Sequence, residues 1–407
     1  MIAIVGAGAA GLATAIFAVR RGVAGPVLLF EGATRPGAKI LVSGGARCNV
    51  TNAAVTERDF SGSSPQLVKR VLRAFGVAPT VEFFREIGVP LHEEEHGKLF
   101  PDANRSRAVL EALLGEARRL GVRLHAGERV KELEPHGAGF RVGTASGGHE
   151  VARVVLATGG LSLPKSGSDG QGLGLARRFG HSVVPTTPAL VPLALAGSFH
   201  AALSGVALPA ELTLRAGGGR PVRRTGSLLF THFGVSGPVV LDISRDFLRA
   251  RLEGLLPELF ANLLPGRDLA GLERELVRQA AESPRTRVAS ALGRWLPKAV
   301  ADGIAADAGA AEVTLGRLTR DARRRVVRGT LERPLPVSDS RGYAFAEATA
   351  GGVPLAEVDT ATMESKRHKG LFLVGEMLDV DGRIGGFNFQ WAWSSAWVAA
   401  GGLARAL

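Results

Sequence analysis

The sequence predicts an α/β protein whose parallel sheet is drawn from both ends of the chain, with a β-rich domain and a small helical segment inserted between. Three observations predict it. Residues 1–5 form a short apolar run, followed at once by Gly6-Ala-Gly8-Ala-Ala-Gly11, and 12–20 then read as a helix. Residues 27–30 form a second apolar run ending in Glu31. Further uncharged runs at 154–157 and 371–374 lead into Thr158-Gly159-Gly160 and Gly375-Glu376. Runs without alternation, ended by glycine, are the pattern of strands covered on both faces.

The first 31 residues make a dinucleotide-binding βαβ unit: strand, glycine turn, helix, strand, and an acid twenty residues after the last glycine. Gly6 permits the tight turn, Gly8 lets backbone approach a pyrophosphate, and Gly11 lets helix and strand pack closely. The N–H groups and positive dipole end of the helix face the phosphates, with Ala9 and Ala10 in its first turn. Glu31 can accept from both ribose hydroxyls of an adenosine, which favours FAD or NAD over NADP but does not choose between them.

A chain of 407 residues holds two or three domains, and 45% hydrophobic with 22% charged residues is a globular composition. The single cysteine, Cys48, excludes an internal disulfide framework and suits a cytoplasmic protein. Neither C-x-x-C nor a His/Cys cluster with zinc spacing occurs, so no metal is expected. Residues 1–19 and 384–404 are uncharged, but the first lacks a basic leader and the second carries Asn388, Gln390, Ser394 and Ser395, so no membrane span is expected. The net charge is +12, and residues 186–335 hold 21 Lys and Arg against 14 Asp and Glu. The basic residues alternate with acids, and the one dense run, 321–328, has no aromatic residue. That argues for a solvated face over a nucleic-acid surface.

After Glu31 comes a Gly-rich loop over 35–52. Helices are expected over 65–89, 106–120 and 173–179. Residues 122–125, 129–134, 140–144 and 149–154 are expected to form a β-meander. The expected division is a cofactor domain of 1–186 plus 340–407, a β-rich insert of 187–246 plus 311–339, and a helical insert of 247–310, the last broken at Pro257, Pro265, Pro284 and Pro297. No internal repeat is evident.

Three later features choose flavin over nicotinamide. The strand ending in Thr158-Gly159-Gly160 follows the meander, as in flavoproteins where such an end runs beside the cofactor. The strand at 371–374 delivers Glu376, which can accept from a ribityl hydroxyl. The Gly385-Gly386 turn starts a helix whose N-terminus can stabilise negative charge on a reduced flavin.

Ser43-Gly-Gly-Ala-Arg47-Cys48-Asn49-Val-Thr51-Asn52, Ala157-Thr-Gly-Gly160, Thr231-His232-Phe-Gly234-Val-Ser236-Gly-Pro238, Met363-Glu-Ser-Lys366 and Gly375-Glu-Met-Leu-Asp379-Val-Asp381-Gly resemble the bacterial YhiN/BaiN-like flavoproteins, a family labelled aminoacetone oxidase-like or NAD(P)/FAD-dependent oxidoreductases. The resemblance spans nearly the whole chain. It implies a Rossmann-like FAD domain interrupted by a β-barrel-like domain and a small helical insert. It implies tightly but non-covalently bound FAD, a small-molecule substrate and NAD(P)H as a possible donor. Carried over, Gly6, Gly8, Ala9, Ala10 and Gly11 hold the pyrophosphate and Glu31 the ribose. Lys39, Ser43, Gly44, Gly45, Arg47 and Asn49 wrap the diphosphate and flavin, and Val130 meets adenine through its backbone. Gly375, Glu376, Asp379, Gly386 and Asn388 meet the ribityl chain and ring, with Thr158 and Gly159 beside them. Ala46 stands where the family usually has a third glycine.

The reaction expected is hydride transfer between a substrate and bound flavin. His232 is the acid/base candidate because imidazole titrates near neutrality; the alternative is a His that bridges a turn. Arg47 is the candidate for stabilising reduced flavin. Cys48 lacks a partner for dithiol chemistry and reads as a small buried side chain. No second GxGxxG is evident, so NAD(P)H use rests on the resemblance. Two other classes stand beside this reading: a flavin-dependent RNA-modifying enzyme, and a non-catalytic flavin sensor.

Overall fold

The computed structural model describes residues 1–405, which divide into two compact units, 1–188 with 347–405, and 189–346. The first unit is built on a parallel sheet of five strands: β1 (Ile2–Val5), β2 (Val27–Glu31), β3 (Arg123–Ala126), β4 (Arg153–Leu156) and β5 (Leu371–Leu373). Their order across the sheet is β5-β4-β1-β2-β3, and two short antiparallel strands, Glu364–Ser365 and Val358–Asp359, extend the β5 edge. The sheet thus joins the two ends of the chain, with Val154 opposite Leu371 in register. All residues of β1, β2 and β5 are buried, which explains their unbroken apolar runs.

Helix α1 (Ala9–Arg20) crosses from β1 to β2, and its residues 10–18 are buried. It packs against α2 (Phe387–Arg405), which is uncharged up to its last residue. Phe17 meets Trp397 edge-on at 5.2 Å. The polar residues of α2 are satisfied inside the protein. Gln390 Nε2 donates to the Phe75 carbonyl (3.0 Å) and its Oε1 accepts from Thr51 (2.6 Å), while Ser394 donates to the Phe75 carbonyl (2.7 Å). No helix among the described residues is long and apolar enough to cross a membrane.

The second unit carries a seven-stranded antiparallel sheet whose edge strands are Arg333–Leu335 and Val337–Ser340. Only Pro336 separates these two strands in the chain. Leu335 pairs with Leu259 at one edge and Val337 with Leu195 at the other. Consecutive residues lie about 3.8 Å apart, so the sheet curls until its edges meet, which gives the barrel-like form.

Several expectations are corrected. Residues 122–125 are not part of the meander: Arg123–Ala126 adds to the parallel sheet beside β2, and only Glu132–His136, Gly139–Thr144 and Gly147–Val151 form the three-stranded meander. The 35–52 loop contains a helix, Ala38–Ala46, interrupted at Ser43, Gly44 and Gly45, where both glycines take positive φ. The stretch 247–310 is not a separate helical segment. The helix Pro238–Leu252 begins before it, and Glu258–Asn262 within it pairs with both Ala207–Arg215 and Arg333–Leu335. Residues 340–346 fall in the second unit, where Arg341 N–H donates to the Pro192 carbonyl and Ala346 joins the core.

Candidate functional site

The first half of the site is the β1–α1 turn. A Cβ on Gly6 (φ +104) would stand 2.5 Å from the Ala157 carbonyl oxygen, and one on Gly11 would stand 1.8 Å from that of Gly6. Both glycines are therefore required by backbone packing. Gly8 is different: a Cβ there meets nothing within 4 Å. The N–H groups of Gly8, Ala9, Ala10 and Gly11 have no partner among the described residues. Unpaired donors at a helix N-terminus, beside open space, form an anion site. Glu31 is buried at the end of β2, where its carboxylate accepts from the N–H of Ala7 and of Ala33, each at 2.9 Å. It thereby anchors the turn, and each oxygen keeps a second lone pair for a hydroxyl.

The second half comes from the other end of the chain. Gly375 (φ +72) is fixed on both sides by α2: its N–H donates to Ser395 Oγ (3.1 Å) and its carbonyl accepts from Trp391 Nε1 (3.1 Å). A Cβ on it would stand 2.7 Å from the Ala10 Cβ, so it lies against the first turn of α1. This delivers Glu376, which pairs with Lys39 and accepts from Ser162 Oγ at 2.7 Å. Lys39 also donates to Ser162. Gly386 (φ +92) leads into α2, and a Cβ on it would collide with the Thr51 carbonyl at 2.5 Å. The same Cβ position lies 2.9 Å from Asn49 Oδ1, a buried acceptor with no partner. The N–H groups of residues 387–389 also have no partner among the described residues.

The remaining expected residues fall as follows. Ser43 Oγ donates to the Ile40 carbonyl (2.8 Å), and Gly44 and Gly45 carry the chain through left-handed conformations. Ala46, in the usual glycine's place, adopts φ +65 all the same. Arg47 is not a free cation. Its guanidinium lies 4.0 Å over the Phe100 ring and bonds Glu94 at 2.6 Å, holding that carboxyl below its usual range. Val130 is buried; its carbonyl accepts from Gln171 (2.9 Å) and its N–H has no partner among the described residues. Thr158 is packed against Gly172, where a Cβ would lie 1.8 Å from its Oγ1, and Gly159 takes φ +72 against Ser168. Asp379 is buried, and its carbonyl accepts from the Ser63 N–H at 2.8 Å. Asn388 closes on one residue, its Oδ1 accepting from the Gly382 N–H (2.8 Å) and its Nδ2 donating to the Gly382 carbonyl (2.9 Å). His232 belongs to the second unit, exposed in the turn between Val222–Thr231 and Gly234–Ser236, with its ring edge-on to Phe233 at 5.1 Å. Cys48 is fully buried, and burial pushes its thiol up to about 12 despite a hydrogen bond with Ser43.

Sequence reasoning missed Ser162, Trp391 and Ser395. The signal for Ser162 was its position just past Thr158-Gly159-Gly160; the two α2 residues carried none beyond their uncharged surroundings.

A family model described as the HI0933-like protein Rossmann domain matches residues 1–402. The chain belongs to the HI0933-like family. It is a flavin-dependent oxidoreductase with the Rossmann-type FAD-binding fold, as the motif resemblance implied. Among HI0933-like relatives, it is 32% identical over 399 residues to the 3-dehydro-bile acid delta(4,6)-reductase of Clostridium scindens, a match spanning 98% of this chain and 97% of that one. It is 34% identical over 400 residues to the ribosomal RNA dihydrouridine synthase of Escherichia coli, spanning 98% and 96%. Of solved structures, it is similar to the 3-ketosteroid delta1-dehydrogenase of Sterolibacterium denitrificans, with a TM-score of 0.53 at 14% identity over 100% of this chain and 99% of that one. That likeness concerns the fold. The donors and the orphaned acceptor fit FAD: N–H groups without partners at Gly8–Gly11 suit a pyrophosphate, and buried Asn49 Oδ1 suits a ring N–H.

Proposed function

We propose that this HI0933-like protein is an FAD-dependent reductase of a carbon–carbon double bond conjugated to a carbonyl, with NAD(P)H as the electron donor. The observation that carries the cofactor assignment is the quartet of unpartnered N–H groups at Gly8–Gly11 facing open space, next to Gly375. The substrate class rests on the two relatives. One is named as a reductase acting at delta(4,6) of a 3-dehydro bile acid, and the other as making dihydrouridine, which is uridine with its ring double bond saturated.

FAD, when bound, supplies the hydride. The chain's own groups bind and orient. The Gly8–Gly11 N–H groups hold the pyrophosphate, Glu31 the adenosine ribose, Lys39 the diphosphate, and Glu376 the ribityl hydroxyls. Asn49 Oδ1 would accept from a ring N–H, and the N–H groups without partners that begin α2 would favour negative charge beside them. Arg47, partnered by Glu94, holds the loop that carries Asn49. His232, exposed in the second unit, is proposed as an acid/base group on the chemistry of its imidazole. The test is turnover of a 4,6-dien-3-one steroid with NADPH, read by mass spectrometry. The reading expects a product heavier by two hydrogens; unchanged dienone alongside flavin that NADPH fully reduces contradicts it.

A second reading, in which the double bond belongs to a uridine in ribosomal RNA, is favoured by a feature of the second unit. Arg341 is sandwiched between Phe233 and Phe345, at 4.3 and 4.0 Å, and Phe345 is half exposed. Arg215, Arg220, Arg223 and Arg224 are exposed on one hairpin of the same unit. Aromatic and guanidinium planes together are what unpaired bases stack on. Salt-sensitive retardation of ribosomal RNA by the full protein, weakened by Phe345→Ala, supports this reading; no retardation at low salt counts against it.

A further inference from the structure

The second unit contains a cavity of about 380 Å³ that the flavin chemistry does not use. Its apolar wall is formed by Leu195, Phe199, Phe230, Ile304 and Leu335. Its polar groups are few. Arg333 is buried, lies 3.0 Å over the Phe199 ring and bonds Asp307, whose carboxylate is half exposed. Arg325 donates through Nε and Nη2 to the Ala308 carbonyl, at 3.1 and 3.0 Å, and has no acidic partner among the described residues. His200 is only 4% exposed, lines the cavity, and its ring has no hydrogen-bond partner among the described residues. Its ring nitrogens keep some access to solvent, so a water or a ligand entering the cavity can bond them.

The charges facing the cavity are Arg325, Arg333 and Asp307. The last two cancel, which leaves one positive charge, an imidazole and an apolar wall. We propose that this cavity binds a small monocarboxylate with a flat apolar body. Its carboxylate is held by Arg325 Nη1 and His200, and its body lies against Leu195 and Phe199, the partly exposed apolar residues of the wall. Arg325 is exposed, so it contributes a charge-assisted, geometrically specific bond to a carboxylate and not a desolvated pair, and the volume is within the range of small-molecule sites. Gly329, inside the helix Arg320–Leu331, keeps the cavity open: a Cβ there would lie 3.6 Å from Ile304 and 3.9 Å from Arg333.

The test uses the FAD-loaded full chain, with naphthalene-2-carboxylate and its neutral amide as probes, read by titration calorimetry. Wild type is expected to bind the carboxylate about tenfold more tightly than the amide. Arg325→Gln removes that preference and leaves amide affinity unchanged. Gly329→Leu, which fills the space, abolishes binding of both, while the flavin spectrum stays that of wild type. If Gly329→Leu misfolds, Gly329→Ala, whose Cβ makes ordinary contacts, still lowers affinity for both probes. Equal affinity for the two probes, or binding unaffected by Arg325→Gln and by both Gly329 substitutions, overturns the proposal.

Discussion

Lys39 and Glu376 stand 337 residues apart in the sequence and form an ion pair, with Ser162 hydrogen-bonded to both. The pair joins the helix Ala38–Ala46, which follows the first βαβ unit, to the turn after β5. It is partly exposed, so its own contribution to folding is about 0–1 kcal/mol. Its value lies in placing a cation and an acceptor together beside Gly375 and the first turn of α1, where we propose the pyrophosphate binds. Lys39→Met and Glu376→Gln are therefore expected to leave the apoprotein's thermal midpoint nearly unchanged and to weaken FAD binding about tenfold each. Flavin retained at about 450 nm after desalting is the readout. A large fall in apoprotein stability with unchanged FAD affinity would make the pair structural.

The glycine turn separates folding from binding residue by residue. Gly11→Ala puts a Cβ 1.8 Å from the Gly6 carbonyl oxygen, so the variant is expected to unfold or fail to accumulate. Gly8→Ala meets nothing within 4 Å, so the apoprotein is expected to fold normally. It should nevertheless lose most of its FAD, because the methyl group would occupy the space proposed for the pyrophosphate. Circular dichroism and bound-flavin content of the two variants check this. A Gly8→Ala protein that retains FAD at wild-type affinity places the pyrophosphate elsewhere.

A pH dependence follows from His181. Its ring is buried between Glu357 (2.9 Å) and Ser365 (2.7 Å), and burial pushes the imidazole below its usual range against the pull of Glu357. Burial acts to raise the Glu357 carboxyl, but hydrogen bonds from Ser182, Arg367 and His181 outweigh it and bring it down to about 2. The unfolded chain binds the His181 proton more readily, so that part of the stability is present above about pH 6.5 and is lost as the pH falls through the folded value. The Glu357 part is lost below about pH 4.5, toward 2, so both erode in acid. Thermal midpoints between about pH 7.5 and 5.5 should fall for wild type and less steeply for His181→Gln. Equal slopes remove His181 from the account.

Cys48 should be chemically silent. Its thiol is buried and pushed up to about 12, so little thiolate forms at neutral pH. A disulfide reagent is expected to label it only after unfolding, and Cys48→Ser should change the rate of flavin reduction less than about twofold. Rapid labelling of the native protein, or a large rate loss, would bring the thiol into the chemistry.

The βαβ unit was legible because its constraints are local. Gly6 and Gly11 touch backbone within a few residues or across one strand, and Glu31 reaches only to Ala7 and Ala33. What escaped is set by distant partners. Arg123–Ala126 looks like a meander strand until β2 pairs with it in parallel. Glu258–Asn262 is hidden between prolines and Leu-rich helices, and its identity comes from strands on either side of it in the sheet. The helix Ala38–Ala46 contains two glycines at positive φ, which read as loop. Arg47 carried a cation's signature, and nothing in its neighbours announced Glu94 and Phe100 as its partners. Ser162 had only its position just past Thr158-Gly159-Gly160 to mark it, and its bonds to Lys39 and Glu376 come from distant parts of the chain.

The most direct measurement is an anaerobic single turnover. FAD-loaded protein is reduced with NADPH until the band at about 450 nm is bleached, and a conjugated dienone steroid or ribosomal RNA is then added without oxygen. The account predicts that the band returns with one of these substrates and that Gly8→Ala protein, lacking FAD, shows no band to follow. Reduced flavin that stays bleached with both, and recovers only when oxygen is admitted, would contradict it.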